Sequence, residues 1–463
     1  MLNVSLPAGP PLSLWTDVVL KYHWLNGTRA KYVHRLHQCY GPVVRLGPNE
    51  VDISQITAVK EIHSVKGGYK KSQFYERLVP GTINIFSTTD TEFHRRHRRI
   101  LSSPLSESSI KTVEVAVDLK VKLAISKMAD EMAERQVTDV AKFWLFMATD
   151  IISELSFGES FGMLEAGKKN QYIEDLEGLA ARGPILTTFP TLIAIARQLP
   201  IPFVRRPAAA AARLRAYSQQ AVLQYKRDFA SNPAADKPML FRKLFKAGED
   251  GLSDEEIRAE AQAYIVAGSD TTATTLTYLI WSVCRNTKVK ETLVSELERL
   301  SHPFSDSDLR SLPYLNAVID ETLRLYAAAP SALPRVVPRG GSTLAGHYIP
   351  EDTIVSTQAW TLHRDPLVFP RPEQYDPSRW LAETKEMRDA MMPFGGGARA
   401  CIGKHLARME LRLGAARFFR AFPSAIVSKK EGMSDKDMEP KVFFLLAPKG
   451  GRCLVEPSES SLL

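Results

Sequence analysis

The chain has 463 residues, enough to bury a large core, and its 44% hydrophobic and 24% charged content matches ordinary folded proteins. That composition excludes a disordered, collagenous or polytopic membrane protein. The 60 lysines and arginines against 52 aspartates and glutamates leave a charge of +8, which suits acidic partners or an anionic membrane surface.

Taken in chain order, Pro7 to Pro11 forms a stiff turn, and Tyr40 to Ser54 alternates like short strands broken at Gly41-Pro42 and Gly47-Pro48. The basic run His94 to Arg99 runs straight into Ile100-Leu101 and lacks the aromatic interleaving of a strand-binding surface, so no nucleic-acid partner is expected. From Leu105 to about Phe245 the pattern is mainly helical, punctuated by Gly158, Gly162, Gly183-Pro184 and Pro200. Phe189 to Val204 is too short and proline-broken to cross a bilayer, yet apolar enough to lie in its surface; a buried core segment is the equal alternative. The alanine run Ala208 to Ala212 reads as helix or linker. No cleavable signal precedes these segments.

Ser253 and Glu256 form a capping box that opens a helix able to run to Asn286, on the order of 50 Å at ~1.5 Å per residue and therefore central. A shorter helix spans roughly Leu312 to Tyr326, and Pro330 to Val355 reads as strands and turns. A last helix starts near Cys401 and continues through Phe419, and strands around Val442 to Val455 close the chain. No internal repeat breaks this order. It predicts one domain over residues 31–463, behind a proline-containing hinge at residues 1–30.

The chemistry concentrates in Phe394-Gly395-Gly396-Gly397-Ala398-Arg399-Ala400-Cys401-Ile402-Gly403. Its glycines let a backbone pass close to something flat, and Cys401 stands at a helix start whose N–H groups lower a thiol pKa. Cys39, Cys284 and Cys453 have no motif around them and read as buried or incidental thiols, too scattered for a disulfide framework or a zinc site. A glycine turn with a chance cysteine is the bland alternative for Cys401 as well. However, Phe394, Gly395, Gly397, Arg399, Cys401 and Gly403 fill all six fixed positions of the haem-binding signature of cytochromes P-450, and the sequence resembles that family from about Pro7 to Val455.

The resemblance implies a mainly α fold with small β-sheets, with haem b held between the long central helix and the cysteine loop. Cys401 is then the iron ligand, Phe394 packs near its sulfur, and Arg399 meets a propionate through its planar fork. Ala267-Gly268-Ser269-Asp270-Thr271-Thr272 resembles the oxygen-activation motif: Asp270 and Thr271 handle protons, and small Ala267-Gly268 leaves room for dioxygen. A helical threonine bonding back to a carbonyl is the alternative reading. Glu321 and Arg324 match the Glu-x-x-Arg motif. Arg379, in a segment carrying Tyr375 and Trp380 where other aromatics are commoner, completes a buried triad that locks the cysteine loop. His94, in place of a tryptophan, and Arg98, with Arg335, are further propionate contacts, while His363 reads as a structural histidine.

Substrate contacts are expected at Phe74, Ile83, Phe86, Tyr264, Ala267 and Leu333, mostly apolar and suited to a lipophilic molecule. The anchor helix of membrane-bound relatives is missing from the sequence. The expected enzyme is a monomer that oxidises a lipophilic metabolite with dioxygen and electrons passed from NADPH by a flavoprotein reductase. It resembles filamentous-fungal members that tailor secondary metabolites. Its expected place is the cytosolic face of the endoplasmic reticulum membrane, in peripheral contact or free in solution. An isomerase or dehydratase that rearranges a peroxide, and a haem-binding sensor, are the rival functions; Asp270-Thr271 argues against the first.

Overall fold

The computed structural model describes residues 7–79, 81–196, 209–220 and 251–458, together with 223 and 227. Pro200, Ala208, Phe245 and residues 197–204 of the apolar segment lie outside them.

Alternating, β-branched segments give the expected sheet near the N-terminus. Strands β1 (Val43–Gly47) and β2 (Glu50–Ile53) form an antiparallel hairpin with Val43 opposite Ile53. They join β3 (Lys70–Lys71), β4 (Arg335–Val336) and β5 (Ile354–Ser356) in the order β1-β2-β5-β4-β3. β2 and β5 run parallel, so this sheet stitches the first 75 residues to the segment behind the Glu-x-x-Arg helix. The proline turn docks on it: Arg45 N–H donates to Ala8 O at 2.8 Å.

The helices are α1 (Thr91–Ser102), α2 (Glu114–Arg135), α3 (Val140–Phe157), α4 (Gln171–Ala180), α5 (Asp254–Cys284), α6 (Pro313–Leu325) and α7 (Lys404–Ala421). Both halves of the capping box at Ser253 form, and α5 runs 31 residues, roughly 47 Å. It ends two residues before the expected Asn286 because that side chain caps the following helix, accepting from Val289 N–H. Helices α2, α3, α5 and α7 enclose the main core, in which every residue from Leu276 to Cys284 is buried.

Gly268 lets α5 approach α3 closely. A Cβ there would lie 2.8 Å from Ile152 Cγ1 and 3.1 Å from Ile152 Cβ. This corrects the expectation that Gly268 clears space for dioxygen: it faces the neighbouring helix, and Ala267, exposed in mid-helix, is the one that borders open space.

Among the described residues no single helix is long and apolar enough to cross a membrane. Gln171–Thr188 and Pro190–Ala196 qualify only together, across a 114° bend.

Gly268→Ala should destabilise the fold by about 1–3 kcal/mol through overpacking, and Ile152→Ala in the same chain should recover part of that loss. Thermal unfolding of the two variants checks this; additive losses would refute the contact.

Candidate active site and cofactor cradle

Helical spacing puts Glu321 and Arg324 on one face of α6, where both are fully buried. Arg324 Nε and Nη2 donate to Glu321 Oε2 and Oε1 at 2.8 and 2.9 Å. Arg379 Nε adds a third contact to Oε1 at 3.1 Å, so the predicted triad forms. The two unusual aromatics have partners as well. Trp380 Nε1 donates to Glu321 Oε2 at 2.9 Å, and the Tyr375 hydroxyl lies 2.9 Å from that of Thr322.

The triad reaches the cysteine loop through His363, which is fully buried. His363 Nδ1 lies 2.9 Å from Arg324 O, and Met392 N–H donates to Nε2 at 2.9 Å. Because the carbonyl can only accept and the amide can only donate, the ring is a neutral Nδ1–H tautomer. Burial accordingly pushes its pKa down to about 3. The structural reading of His363 therefore has specific content: it is the strut between the triad and the loop.

Beyond Met392, Gly395 N–H bonds Met392 O and Cys401 N–H bonds Phe394 O at 2.8 Å, closing a tight turn against helix Ile56–His63. Gly397 (φ +61°) passes so near that helix that a Cβ would sit 1.6 Å from His63 O. Phe394 packs on the main core, with Arg408 over its ring. Cys401 lies just ahead of α7, whose N-cap is Gly403. Cys401 is an exposed residue whose thiol is nonetheless desolvated by the protein around it. Burial pushes it up, outweighing a hydrogen bond from Gly403 and the charges of Arg98 and Lys404. The expected lowering by helix-terminal N–H groups is thus present but, in the protein alone, not dominant. Of the other thiols Cys39 is exposed, and Cys284 and Cys453 are buried.

Basic groups converge beside this turn. Arg98 Nη1 donates to Ala400 O at 2.6 Å and Arg399 Nη1 to Thr88 O at 3.2 Å. Arg335 is 5% exposed and its Nε has no partner. Burial, then the neighbouring Arg335, lowers Arg399 to about 10. His94 falls to about 3, first through burial and then through Arg399, Lys71, Arg98 and Arg335, which places it in the same cluster and uncharged. No acid pairs with Arg98, Arg335 or Arg399 among the described residues.

Asp270 and Thr271 turn to different sides of α5. The Thr271 hydroxyl donates to Ala267 O at 2.6 Å, the back-bond that was the alternative reading. Asp270 lines a cavity of about 30 Å³ with Ser269, Ile173 and Glu177 of α4. Burial, then the Glu177 charge, raises its carboxyl to about 6, against Lys169, which pairs with Glu177 at 2.6 Å.

Of the expected substrate contacts, Phe74 and Phe86 meet through Tyr75 and Phe444, with Phe86 and Phe444 ring centres 5.4 Å apart. Tyr264 is buried within the electrostatic reach of Arg98 and Cys401. Leu333 packs with Val59 and Met392, beside the cysteine turn. Ile83 is 61% exposed instead of enclosed.

One network escaped sequence reading. His97, stacked on Phe93, lies between Glu260 (2.7 Å) and Glu256 (3.1 Å), and Glu260 Oε1 also accepts from Ile85 N–H at 2.8 Å. It ties α1, α5 and the loop 81–89 together. Glu256 and Glu260, one helical turn apart, were the available signal, but their partners lie about 160 residues away.

Cys401 stands at the turn beside Arg98, Arg335 and Arg399, none of which pairs with an acid among the described residues, and a sulfur beside such cations suits a haem-thiolate protein. The chain belongs to the cytochrome P-450 family, whose model matches residues 7–455. It is 48% identical over 97% of its length to cytochrome P-450 monooxygenase tazI of Aspergillus terreus, covering 92% of that relative. It is 42% identical over 90% of its length to monooxygenase azaI of Aspergillus niger, covering 94% of it, and 35% identical over 96% to stcB of Emericella nidulans, covering 87%. The protein is therefore a haem-dependent monooxygenase acting on a small molecule with dioxygen and a redox partner.

Trp380→Phe should cost about 1.5–3 kcal/mol of stability, the worth of a hydrogen bond to a charged group, while the two arginines remain bound. Acidification gives a second test. A free histidine titrates near 6.5 but folded His363 near 3, so the unfolded chain binds more protons in that window and stability falls as pH drops through it. The unfolding midpoint of His363→Gln should start lower and decline less steeply between about pH 7 and 5; an unchanged slope would remove His363 from the account.

Proposed function

We propose that this enzyme hydroxylates or similarly oxidises a lipophilic secondary metabolite, drawing electrons from NADPH through a flavoprotein reductase. The observation that carries the reading is the Cys401 thiol, presented by a triad-braced turn beside Arg98, Arg335 and Arg399. Cys401 Sγ binds the iron, and Arg98, Arg335, Arg399 and His94 bind the propionates. Haem held there supplies the centre at which dioxygen is activated.

The chain's own part is positioning and proton handling. With its carboxyl near 6, Asp270 can take and release a proton at physiological pH. The cavity beside it has room for about one water and is lined also by Glu177, which pairs with Lys169. Thr271 donates to Ala267 O, which leaves its lone pairs free to accept from a proton-bearing partner in the cleft. The Phe74, Tyr75, Phe86 and Phe444 cluster supports a lipophilic substrate.

Residues 31–463 act as one catalytic domain, supported by a core that runs from Ala30 to Val455. The monomer touches the endoplasmic reticulum membrane on its cytosolic side. Support for this comes from Phe189, Leu192 and Ile195, 44–61% exposed, and from Trp15, Val18 and Tyr22, 54–76% exposed. Trp24 Nε1 joins the two patches by donating to Thr187 Oγ1 at 2.8 Å.

Reduced protein under carbon monoxide should show the strongly red-shifted thiolate Soret band, and Cys401→His should lose it; its absence from the folded wild type would overturn the reading. Thr271→Ala should keep the band and NADPH oxidation but lower product per NADPH by about tenfold or more. Reduction by the flavoprotein should slow as salt rises, since basic surfaces steer acidic donors.

A further inference from the structure

The turn that carries Phe86 is rigid within itself. Asn84 Oδ1 accepts from the N–H groups of Phe86 and Ser87 at 3.0 and 2.9 Å, Asn84 N–H donates to Ser87 Oγ at 3.1 Å, and that hydroxyl donates to Thr82 O at 2.9 Å. A turn closed this way moves as one body, so whatever holds Ile85 also places the Phe86 ring. Ile85 N–H donates to Glu260 Oε1 at 2.8 Å, and the carboxylate is fixed from behind. His97 lies 2.7 Å from the same oxygen, stacks on Phe93 and reaches Glu256, which Arg96 also binds at 2.9 Å. Glu260 and His97 are both fully buried. Burial pushes the Glu260 carboxyl up, against the pull of His97 and of Ile85 N–H, and Glu260 Oε2 has no partner among the described residues. An apolar side chain would fill this space without the cost of desolvating a charge, but could not accept from a backbone amide. Positions 260, 264, 267 and 271 recur at helical spacing, so Glu260 shares a face of α5 with Tyr264, Ala267 and Thr271. One rigid helix thus carries both the fastening of the loop and the Thr271 alcohol.

We propose that Glu260 is a positioning residue that sets substrate selectivity: through Ile85 N–H it fixes the turn 84–87, and with it the place at which the Phe86 ring borders a lipophilic substrate. His97 holds the carboxylate at the required angle. The inference rests on the reading of Phe86 as a substrate contact. Losing the pin therefore changes recognition of a bulky ligand and leaves binding at the iron itself unaltered.

Two ligands that bind haem iron through the same imidazole nitrogen separate these effects. Imidazole touches little of the pocket wall, whereas 4-phenylimidazole adds an apolar ring that the wall must hold. In spectral titrations of the haem-loaded enzyme, Glu260→Ala should weaken 4-phenylimidazole about tenfold and leave imidazole within about twofold of wild type. Glu260→Gln, whose amide oxygen can still accept from Ile85 N–H, should recover most of that loss. Phe86→Ala should weaken 4-phenylimidazole as well, and adding Glu260→Ala to it should cost nothing further, because the carboxylate acts through that ring. Additive losses in the double variant would overturn the proposal, as would equal losses for the two ligands, which would mark a purely structural carboxylate. Glu260→Leu, which fills the buried space, provides the same comparison should the alanine variant fold poorly. If Phe86→Ala weakens 4-phenylimidazole and Glu260→Ala does not, this inference alone is sunk. A Phe86→Ala variant that binds it like wild type would sink the substrate reading of Phe86 beneath it.

Discussion

The buried carboxylate of Glu321 is the interaction on which the rest of the structure depends. It accepts five hydrogen bonds, two from Arg324 and one each from Arg379, Trp380 and the backbone of Asp376. A charge so far from water survives only when its lone pairs are filled, and a half-filled site would be worse than an apolar one. Arg324 spends its remaining donors on the carbonyls of His363, Pro372 and Gln374. The network therefore fixes backbone, and the strut at His363 carries that rigidity to the turn ahead of Cys401.

The opposite side of the cleft is built differently. Helix α5 is held from behind by α3 at Gly268, yet its open face offers small side chains and an alcohol. The loop 81–89 is held by charges instead of by apolar packing alone. A braced turn carries Cys401 on one side, and a polar-pinned loop beside an aromatic cluster stands on the other.

The sequence made legible what depends on short spacing. Glu321 and Arg324 share a helix face by their separation of three, the Ser253 capping box marks the start of α5, and the turn from Phe394 to Gly403 is set by its glycines. Features that pair distant segments were illegible. Nothing near Gly268 in the sequence says that Ile152 stands behind it, and nothing near His97 names Glu260. The Lys71 and Arg335 pairing is a matter of strand register between segments 264 residues apart. The thiol of Cys401 shows the same limit, because its helix-end donors can be read locally, whereas the burial that outweighs them depends on the whole fold.

The close passage of Gly397 against His63 bears on how this protein can diverge. A carbon placed on Gly397 would fall far inside van der Waals contact with a backbone oxygen, so no replacement is tolerated unless helix Ile56–His63 moves with it. That ties the heritable fate of a position near residue 400 to one near residue 60. The rings at Phe74, Phe86 and Phe444 carry no such lock and can be exchanged one at a time. Those rings are thereby free to drift while the turn presenting Cys401 stays as inherited.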